Sequence, residues 1–297
     1  MTALIQPHTV ATETTRHRCV VVVLTFNCAS VIRETLGQAL KVAPKIYVVD
    51  SFSTDATRDI AIEMGCEVVQ RKFINYAEQR NWAINQVVGR CEWQLHLDAD
   101  EVLDEKATVA IAQVLHASPA SASSAYLLKR RDYFMGQELR FSGLSPWHLR
   151  LFPSGHGQCE DRLYDQHFLS DLPVKRLPGL MHDKNAQTLS EWVSRHNRWS
   201  DLEAEQIGQQ AGAGELQAGV FGDPRKRTRW LKQMYYRLPS GLRSAGYFLY
   251  RYVIRGGFLD GRVGFYFAVF QGLWFRTLVD AKLSELEGEI LRSNDGK

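Results

Sequence analysis

The chain has 297 residues, 45% apolar and 23% charged, with a formal net charge of +3. That composition excludes a disordered or polyelectrolyte protein and leaves room for one large domain, or one domain with a substantial appendage. Its five cysteines (Cys19, Cys28, Cys66, Cys91, Cys159) are odd in number, scattered and without a C-x-x-C pair, which argues for reduced, buried thiols in a cytosolic protein and against a disulfide framework or zinc knuckle.

Met1 to Arg18 mix Thr, His, Arg and Pro without an apolar core and read as a mobile tail, not a secretory signal. Cys19 to Phe26 (CVVVVLTF) is continuously apolar, which suits a strand buried on both faces and hence a parallel sheet. Asn27 and Ser30 offer caps to a helix near Val31 to Lys41, Pro44 ends it, and Ile46 to Val49 form a second strand closing on Asp50. Ser53, Thr54 and Asp55 cap a helix to about Met64. Strand Glu67 to Gln70, helix Tyr76 to Val87 and strand Glu92 to Leu97 follow. This βαβαβαβ pattern is that of a doubly wound α/β sheet, whose ligands bind at the carboxyl ends of its strands. A dinucleotide enzyme is disfavoured, because the first turn reads Thr25-Phe26-Asn27-Cys28-Ala29-Ser30 and has no G-x-G-x-x-G.

After a helix near Glu105 to His116, strands at Ala125 to Tyr133 and His148 to Phe152 flank a Gly-, Ser- and Trp-containing loop suited to an acceptor site. Leu189 to Gln210 reads as a helix, followed by a Gly/Ala/Gln segment to Gly222. No transmembrane span is expected, since the longest uncharged stretch, Val263 to Phe275, is shorter than the roughly 20 residues a bilayer requires. The expected division is a tail (1–18), a catalytic domain (19–188; nucleotide half about 19–101, acceptor half about 102–188) and a C-terminal helical region (189–297).

Asp98 and Asp100 flank Ala99 at the end of an apolar strand, with Glu101 next, so carboxylates project into the expected crevice. A divalent metal held there, Mg²⁺ or Mn²⁺, can bridge a diphosphate and neutralise its charge as it leaves. The plain alternative for so short a pattern is an acidic turn. Asp98, Asp100 and Val102 also fit an aspartyl-phosphate motif, but that fold usually opens with its motif strand and here three βα units precede it. Asp50 and Ser51 suit a nucleobase or ribose, against the plain reading of a helix cap. Arg71, Lys72, Arg80 and Asn81 stand where a diphosphate could be met, or form a solvated helix face. Glu160 and Asp161 make a second acidic pair, one of which can take a proton from an acceptor hydroxyl. His182 is a candidate imidazole ligand, although a lone His is more often packed or on the surface. Trp147, His148 and Arg150, just before the second pair, are acceptor-binding candidates.

Together LTFN (Leu24 to Asn27), VVDSFSTDAT (Val48 to Thr57), NYAEQRNWAI (Asn75 to Ile84) and LDADE (Leu97 to Glu101) resemble glycosyltransferase family 2. More narrowly the chain is similar to the bacterial branch that includes the lipopolysaccharide inner-core β-1,4-glucosyltransferases. RRDYFMGQELRFSG, HLRLFPSGHGQCEDRL, LPGLMHD and RGGFLDGRVGFYFA extend the likeness to roughly residues 19–283. The resemblance implies a GT-A fold, Rossmann-like with a mostly parallel sheet, and an inverting transfer from a nucleotide-sugar, UDP-glucose in that branch, to an envelope glycolipid. It implies donor contacts by Thr25, Asn27, Asp50, Ser51, Arg80, Asn81, Asp98 and Ala99, with Asp50 on the base. It makes Asp98 and Asp100 the D-x-D, His182 a metal or diphosphate ligand and Asp161 the base. Phe52 replaces the Gly usual after the Asp-Ser pair, and Glu160-Asp161 stands where relatives often carry His-Glu, so the base is Asp161 or Glu160.

From Arg225 to Arg262 ten Lys or Arg meet one acid, Asp260. Arg225, Lys226, Arg227, Arg229, Lys232 and Arg243 interleave with Trp230, Tyr235, Tyr236, Tyr247, Phe248 and Tyr250, as suits an anionic membrane surface. The expected location is therefore cytoplasmic, peripheral on the inner face of the inner membrane. The same composition suits a nucleic-acid module, which the carboxylate-rich crevice and the apolar run Phe265 to Phe275 oppose; no nucleic-acid partner is expected. Val263 to Leu278 reads equally as a packed core helix or as a membrane-docking helix, and both hold if it packs on the catalytic domain and exposes one edge.

Overall fold

The computed structural model describes residues 17–117, 124–162, 164–185, 187–208 and 216–295. All but the last two residues of the expected tail, the last two of the expected helix Leu189 to Gln210, and residues 211–215 of the Gly/Ala/Gln segment lie outside them.

The first half runs β1 (His17–Thr25), α1 (Ile32–Val42), β2 (Ile46–Asp50), α2 (Thr57–Glu63), β3 (Glu67–Gln70), α3 (Tyr76–Val87), β4 (Cys91–Asp98), β5 (Glu101–Leu103) and α4 (Glu105–Ala117). The valine run behaves as its composition dictates: Val21 and Val23 pack under α1 and α4, while Val20 and Val22 pack under α3. With both faces covered, each valine stabilises by roughly 1.5–3 kcal/mol. The parallel register sets Thr25 beside Asp50 and Leu24 beside Asp98, so the polar strand ends share one edge.

The second half adds β6 (Ala125–Phe134), β7 (Gln137–Glu138), β8 (Trp147–Pro153), β9 (Gln158–Cys159), β10 (Phe168–Leu169) and β11 (Val174–Asp183). The sheet order is β3-β2-β1-β4-β8-β6-β11-β5, parallel from β3 to β4 and mixed beyond, with β7 on β6 and a separate β9–β10 pair. This is an α/β, GT-A-like fold with a mixed sheet.

Strand β11 escapes a sequence reading because Pro178-Gly179 looks like a turn. The strand passes through it with a register shift between Arg176 and Leu180. Gly179 sits at φ +94°, and a Cβ there would stand 2.2 Å from the Ala107 backbone nitrogen, so only glycine lets α4 close on the strand.

Helices α5 (Leu189–Gly208), α6 (Pro224–Tyr236), α7 (Leu242–Leu249), α8 (Gly261–Phe267) and α9 (Phe275–Asp295) complete the described chain. A π-helical turn (Tyr250–Ile254) and a 3-10 turn (Gly257–Asp260) link α7 to α8, and a second π-helical stretch (Ala268–Trp274) leads into α9. The expected helix over Val263 to Leu278 is thus helical but interrupted. None of the described helices is long and apolar enough to cross a membrane.

The interleaved basic and aromatic residues divide: Lys226, Arg227 and Tyr250 are exposed, and other members are drawn inside. Arg225, Arg229 and Arg243 are buried and paired with Asp223, Glu160 and Asp280. Lys232 and Arg276 converge on the buried Glu203, which also accepts from the Tyr236 hydroxyl at 2.8 Å. The guanidinium of Arg243 lies over Tyr235 and Tyr236. Arg225 is neutralised by its near neighbour Asp223, whereas the acids that meet Arg229 and Arg243 come from distant segments.

Candidate active site

The edge formed by the ends of β1 and β2 is organised around Asp50, which is fully buried. Its carboxylate accepts from Thr25 Oγ1 (3.0 Å), Ser53 N (2.9 Å), Ser53 Oγ (2.5 Å) and Gln70 Nε2 (3.3 Å). A nucleobase donor would have to displace one of these. Asn27, at φ +46°, clamps the same loop: its N–H donates to Ser53 Oγ and its Oδ1 accepts from Thr54 N. Phe52 adopts φ +59°, a left-handed conformation, which gives a physical reason for the glycine usual there. The Ser51 hydroxyl accepts from Gln79.

Asp98 ends β4 between two guanidinium groups, Arg80 at 2.9 Å and Arg150 at 3.0 Å. Burial opposes its ionisation, but Arg80 and Arg150 hold the carboxyl well below the usual range. Arg150 also pairs with the buried Glu101 at 2.5 Å. Asp98 therefore keeps one face open to a donor but is spoken for as a metal ligand, and Arg150, only 2% exposed, is a strut for the carboxylates. It has no surface for an acceptor. Ala99 is in the tight turn between them, its carbonyl accepting from Thr35 at 2.7 Å.

Asp100 has a different environment. Burial, and then the charges of Asp98 and Glu101, push its pKa up to about 6. Strand β11 brings Asp183 alongside, opposite Glu101 in register, with Lys184 N donating to the Asp100 carbonyl at 2.9 Å. Burial raises Asp183 to about 7, against the pull of Arg130 and helped by the charges of Asp100 and Asp132. One oxygen of Asp183 is buried and has no hydrogen-bond partner; the other is 3.4 Å from Arg130. On α5, Arg195 interacts with both Asp100 and Asp183, and its Nε is also unpartnered.

His182 is turned away. Its Nδ1 lies 3.3 Å from the Tyr133 hydroxyl, and the charges it feels are Asp104, Glu138, Lys184 and Arg131. Alternation along β11 puts neighbouring side chains on opposite faces, so His182 lies beside Tyr133 and the next residue, Asp183, lies beside Asp100. No cluster of three metal-ligating side chains assembles among the described residues. Two carboxylates suffice for a metal that keeps waters and takes substrate phosphates as ligands, and the unpartnered Asp183 oxygen beside Asp100 fits that role.

The second acidic pair divides. Glu160 is fully buried, gripped by Arg229 (2.6 and 2.9 Å) and by the backbone N–H groups of Leu216 (2.9 Å) and His167 (3.3 Å). It is a structural anchor and has no lone pair to offer as a base. Asp161, next to it, is exposed. Asn81, expected at the donor, ties this segment to α3: its amide donates to the Cys159 carbonyl at 2.9 Å and accepts from the Cys159 N–H at 2.7 Å. Arg80 and Arg150 lie over the Phe168 ring of β10, so the hairpin bearing Asp161 abuts the Asp98 cluster. Trp147 stacks under Arg176, and the His148 Nε2 is buried and unpartnered. Arg71 pairs with Glu78 and covers Trp82. Asp183 and Arg130 fall within strings that carry the resemblance (LPGLMHD and RRDYFMGQELRFSG) but were not singled out, because one lies on an unrecognised strand and the other on an ordinary basic strand; Arg195 lies on a helix 95 residues after Asp100.

The family model of Glycosyl transferase family 2 matches residues 20–155, a little under half of the chain. An uncharacterized glycosyltransferase of Rickettsia bellii is 30% identical over 107 residues, 36% of each chain. One of Rickettsia prowazekii is 26% identical over 116 residues, 39% of each chain. The match thus spans little more than a third of these curated relatives. Among solved structures, a mannosyltransferase from Pyrobaculum calidifontis in complex with GDP-Man and Mn²⁺ aligns over 91% of both chains at 17% identity and TM-score 0.43. Glucosyl-3-phosphoglycerate synthase from Mycobacterium tuberculosis, with Mn²⁺, UDP and glucosyl-3-phosphoglycerate, aligns over 44% of this chain and 51% of its own at TM-score 0.31.

Proposed function

We propose that the chain is an inverting, metal-dependent glycosyltransferase that moves glucose from UDP-glucose to a hydroxyl of an envelope glycolipid such as the lipopolysaccharide inner core. The observation that carries the reaction class is the carboxylate surplus at the sheet edge: among the described residues Asp98, Asp100, Glu101, Asp132 and Asp183 meet Arg80, Arg130, Arg150 and Arg195. A divalent cation more than offsets that one excess negative charge, and the positive charge that results offers a leaving diphosphate its counter-charge.

Asp100 and Asp183 hold the metal on this reading, with Asp98 positioning Arg80 toward the donor and Arg195 closing the site from α5. Asp50, Ser51, Thr25 and Asn27 shape the nucleoside pocket. Asp161 takes the acceptor proton as the new C–O bond forms and the bond to the diphosphate breaks, and attack from the opposite face inverts the anomeric carbon. Residues 19–101 bind the donor, 102–188 the acceptor, and 189–297 brace both. UDP-glucose and the inner-core acceptor follow from the resemblance. Another lipid-linked or exopolysaccharide acceptor fits the same parts. Nucleic-acid binding loses its support, since Arg225, Arg229 and Arg243 are internally neutralised.

Isothermal titration with UDP and GDP, each with and without Mn²⁺, tests the reading. Metal-dependent UDP binding that Asp100→Ala and Asp183→Asn abolish supports it. Metal-independent binding, or none, sinks it.

A further inference from the structure

We infer that the segment from Leu249 to Tyr266 is a docking face for an anionic phospholipid bilayer, in place of the basic-aromatic helices that the sequence points to. The proposal rests on the glycolipid-acceptor reading and names the surface through which this chain would meet it.

The face is made by the π-helical turn. Arg251 is buried at 2% exposure, donating to the Ser142 carbonyl and, at 2.9 Å, to the Tyr247 hydroxyl. The wider turn keeps that guanidinium inside and turns the flanking residues outward. Val253 is 51% and Ile254 75% exposed, and the following 3-10 turn presents Phe258 at 50% and Leu259 at 58%. Rings continue the surface: Tyr252 packs on Phe258 and Phe265, and Phe265 on Tyr266. An apolar surface of this extent on water-facing turns is unusual in a soluble chain and marks an interaction site.

Charge selects the occupant. Arg255 and Arg262 are exposed within the face, and Asp260, the only acid between residues 224 and 276, is buried. Apolar side chains rimmed by unopposed arginines complement an anionic lipid surface, where rings and aliphatics enter the headgroup boundary and cations pair with phosphates. The buried carboxylate anchors the face to the catalytic half. Asp260 accepts from the N–H groups of Arg140 (3.1 Å), Phe141 (3.0 Å) and Ser142 (2.7 Å). That loop follows β6, whose Asp132 is opposite Asp183 in register and accepts from Ser145 at 3.1 Å. The face is therefore fixed to the carboxylate edge, and docking would bring a lipid-borne acceptor to the site without a free search in solution.

The test is co-sedimentation of the full chain with phosphatidylcholine vesicles with and without phosphatidylglycerol. Wild type should bind the anionic vesicles, and weaken as salt rises. Ile254→Asp with Leu259→Asp should lower partition at least tenfold with unchanged melting temperature and unchanged Mn²⁺-dependent UDP binding. Arg255→Glu with Arg262→Glu should erase the preference for anionic lipid. If wild type does not bind vesicles while UDP binding persists, the docking face is wrong and the transferase reading stands. Sedimentation equilibrium giving a dimer that the Asp pair dissociates would assign the face to a second copy and overturn the proposal.

Discussion

At the ends of β4, β6 and β11 five carboxylates meet four arginines, whereas four acids that pack against or within the C-terminal helices each have a cation, and the buried Asp260 is held by backbone N–H groups. Glu160 pairs with Arg229 at 2.6 Å, Glu203 with Lys232 at 2.7 Å, Asp223 with Arg225 at 2.6 Å and Asp280 with Arg243 at 2.5 Å. The consequence shows in proton affinity. Burial works against ionisation in both places, but basic partners overcome it at Glu160, Glu203 and Asp223, which are lowered, and not at Asp100 and Asp183, which are raised. Neutralised charge builds a scaffold, and charge left in surplus is poised for a ligand. Abundance of basic residues is therefore a poor guide to where this molecule meets its partners.

The contrast is broken most severely at the site. Asp100→Ala should lower turnover by about 10³-fold at saturating donor, the scale of losing a main electrostatic contributor to the transition state, while leaving the melting temperature unchanged or higher. A variant that keeps a tenth of wild-type turnover would show that the surplus charge is incidental. On the scaffold side the effect should be on stability. Arg229→Ala leaves the Glu160 carboxylate buried without its cation, a loss of about 3 kcal/mol, or about 5–10 °C in melting temperature for a chain of this size. Glu160→Gln with Arg229→Met should recover much of it. If Arg229→Ala unfolds at the wild-type temperature, Glu160 is not the anchor described here.

The two clusters should also give stability opposite slopes with pH. Asp100 and Asp183 sit near about 6 and about 7 in the folded chain, above the ~4 of an unfolded aspartate. Their contribution is fully present below about pH 4 and is lost as pH rises through 6 to 7. The lowered Glu160 and Glu203 contribute above about pH 4.3, and that contribution is lost as pH falls. Metal-free protein should thus be most stable at mildly acidic pH. Asp100→Asn with Asp183→Asn should flatten the alkaline decline and leave the acid limb alone; an unchanged alkaline limb would count against the raised pair.

The first half of the fold was legible because its signals are local. Four valines in a row need two covered faces, and Glu67 to Gln70 and Tyr76 to Val87 are found where periodicity puts them. The site was legible only in part. Asp98 and Asp100 stand at a strand end, which sequence position reveals, but their difference depends on Arg80, Arg150 and Arg195, brought from three other elements. Strand β11 was hidden by Pro178-Gly179, and with it the alternation that exchanges His182 for Asp183. The buried Arg225, Arg229 and Arg243 read as surface because sequence shows a charge and not the acid that meets it.

The smallest expected effect concerns Phe52, and it asks whether the donor edge belongs to the scaffold or to the ligand. At φ +59° a phenylalanine carries the left-handed penalty of about 1–2 kcal/mol, and at 53% exposure its ring returns little by burial. Phe52→Gly removes the penalty but adds unfolded-state entropy worth about 0.5–1 kcal/mol, so the net gain should be at most about 1 kcal/mol, read as a small rise in melting temperature. Donor affinity decides the rest. Unchanged UDP affinity means the ring is a tolerated departure from glycine. A loss of tenfold or more means the chain accepts a strained backbone to place an aromatic face beside the nucleoside pocket, where stacking on a base would repay the strain.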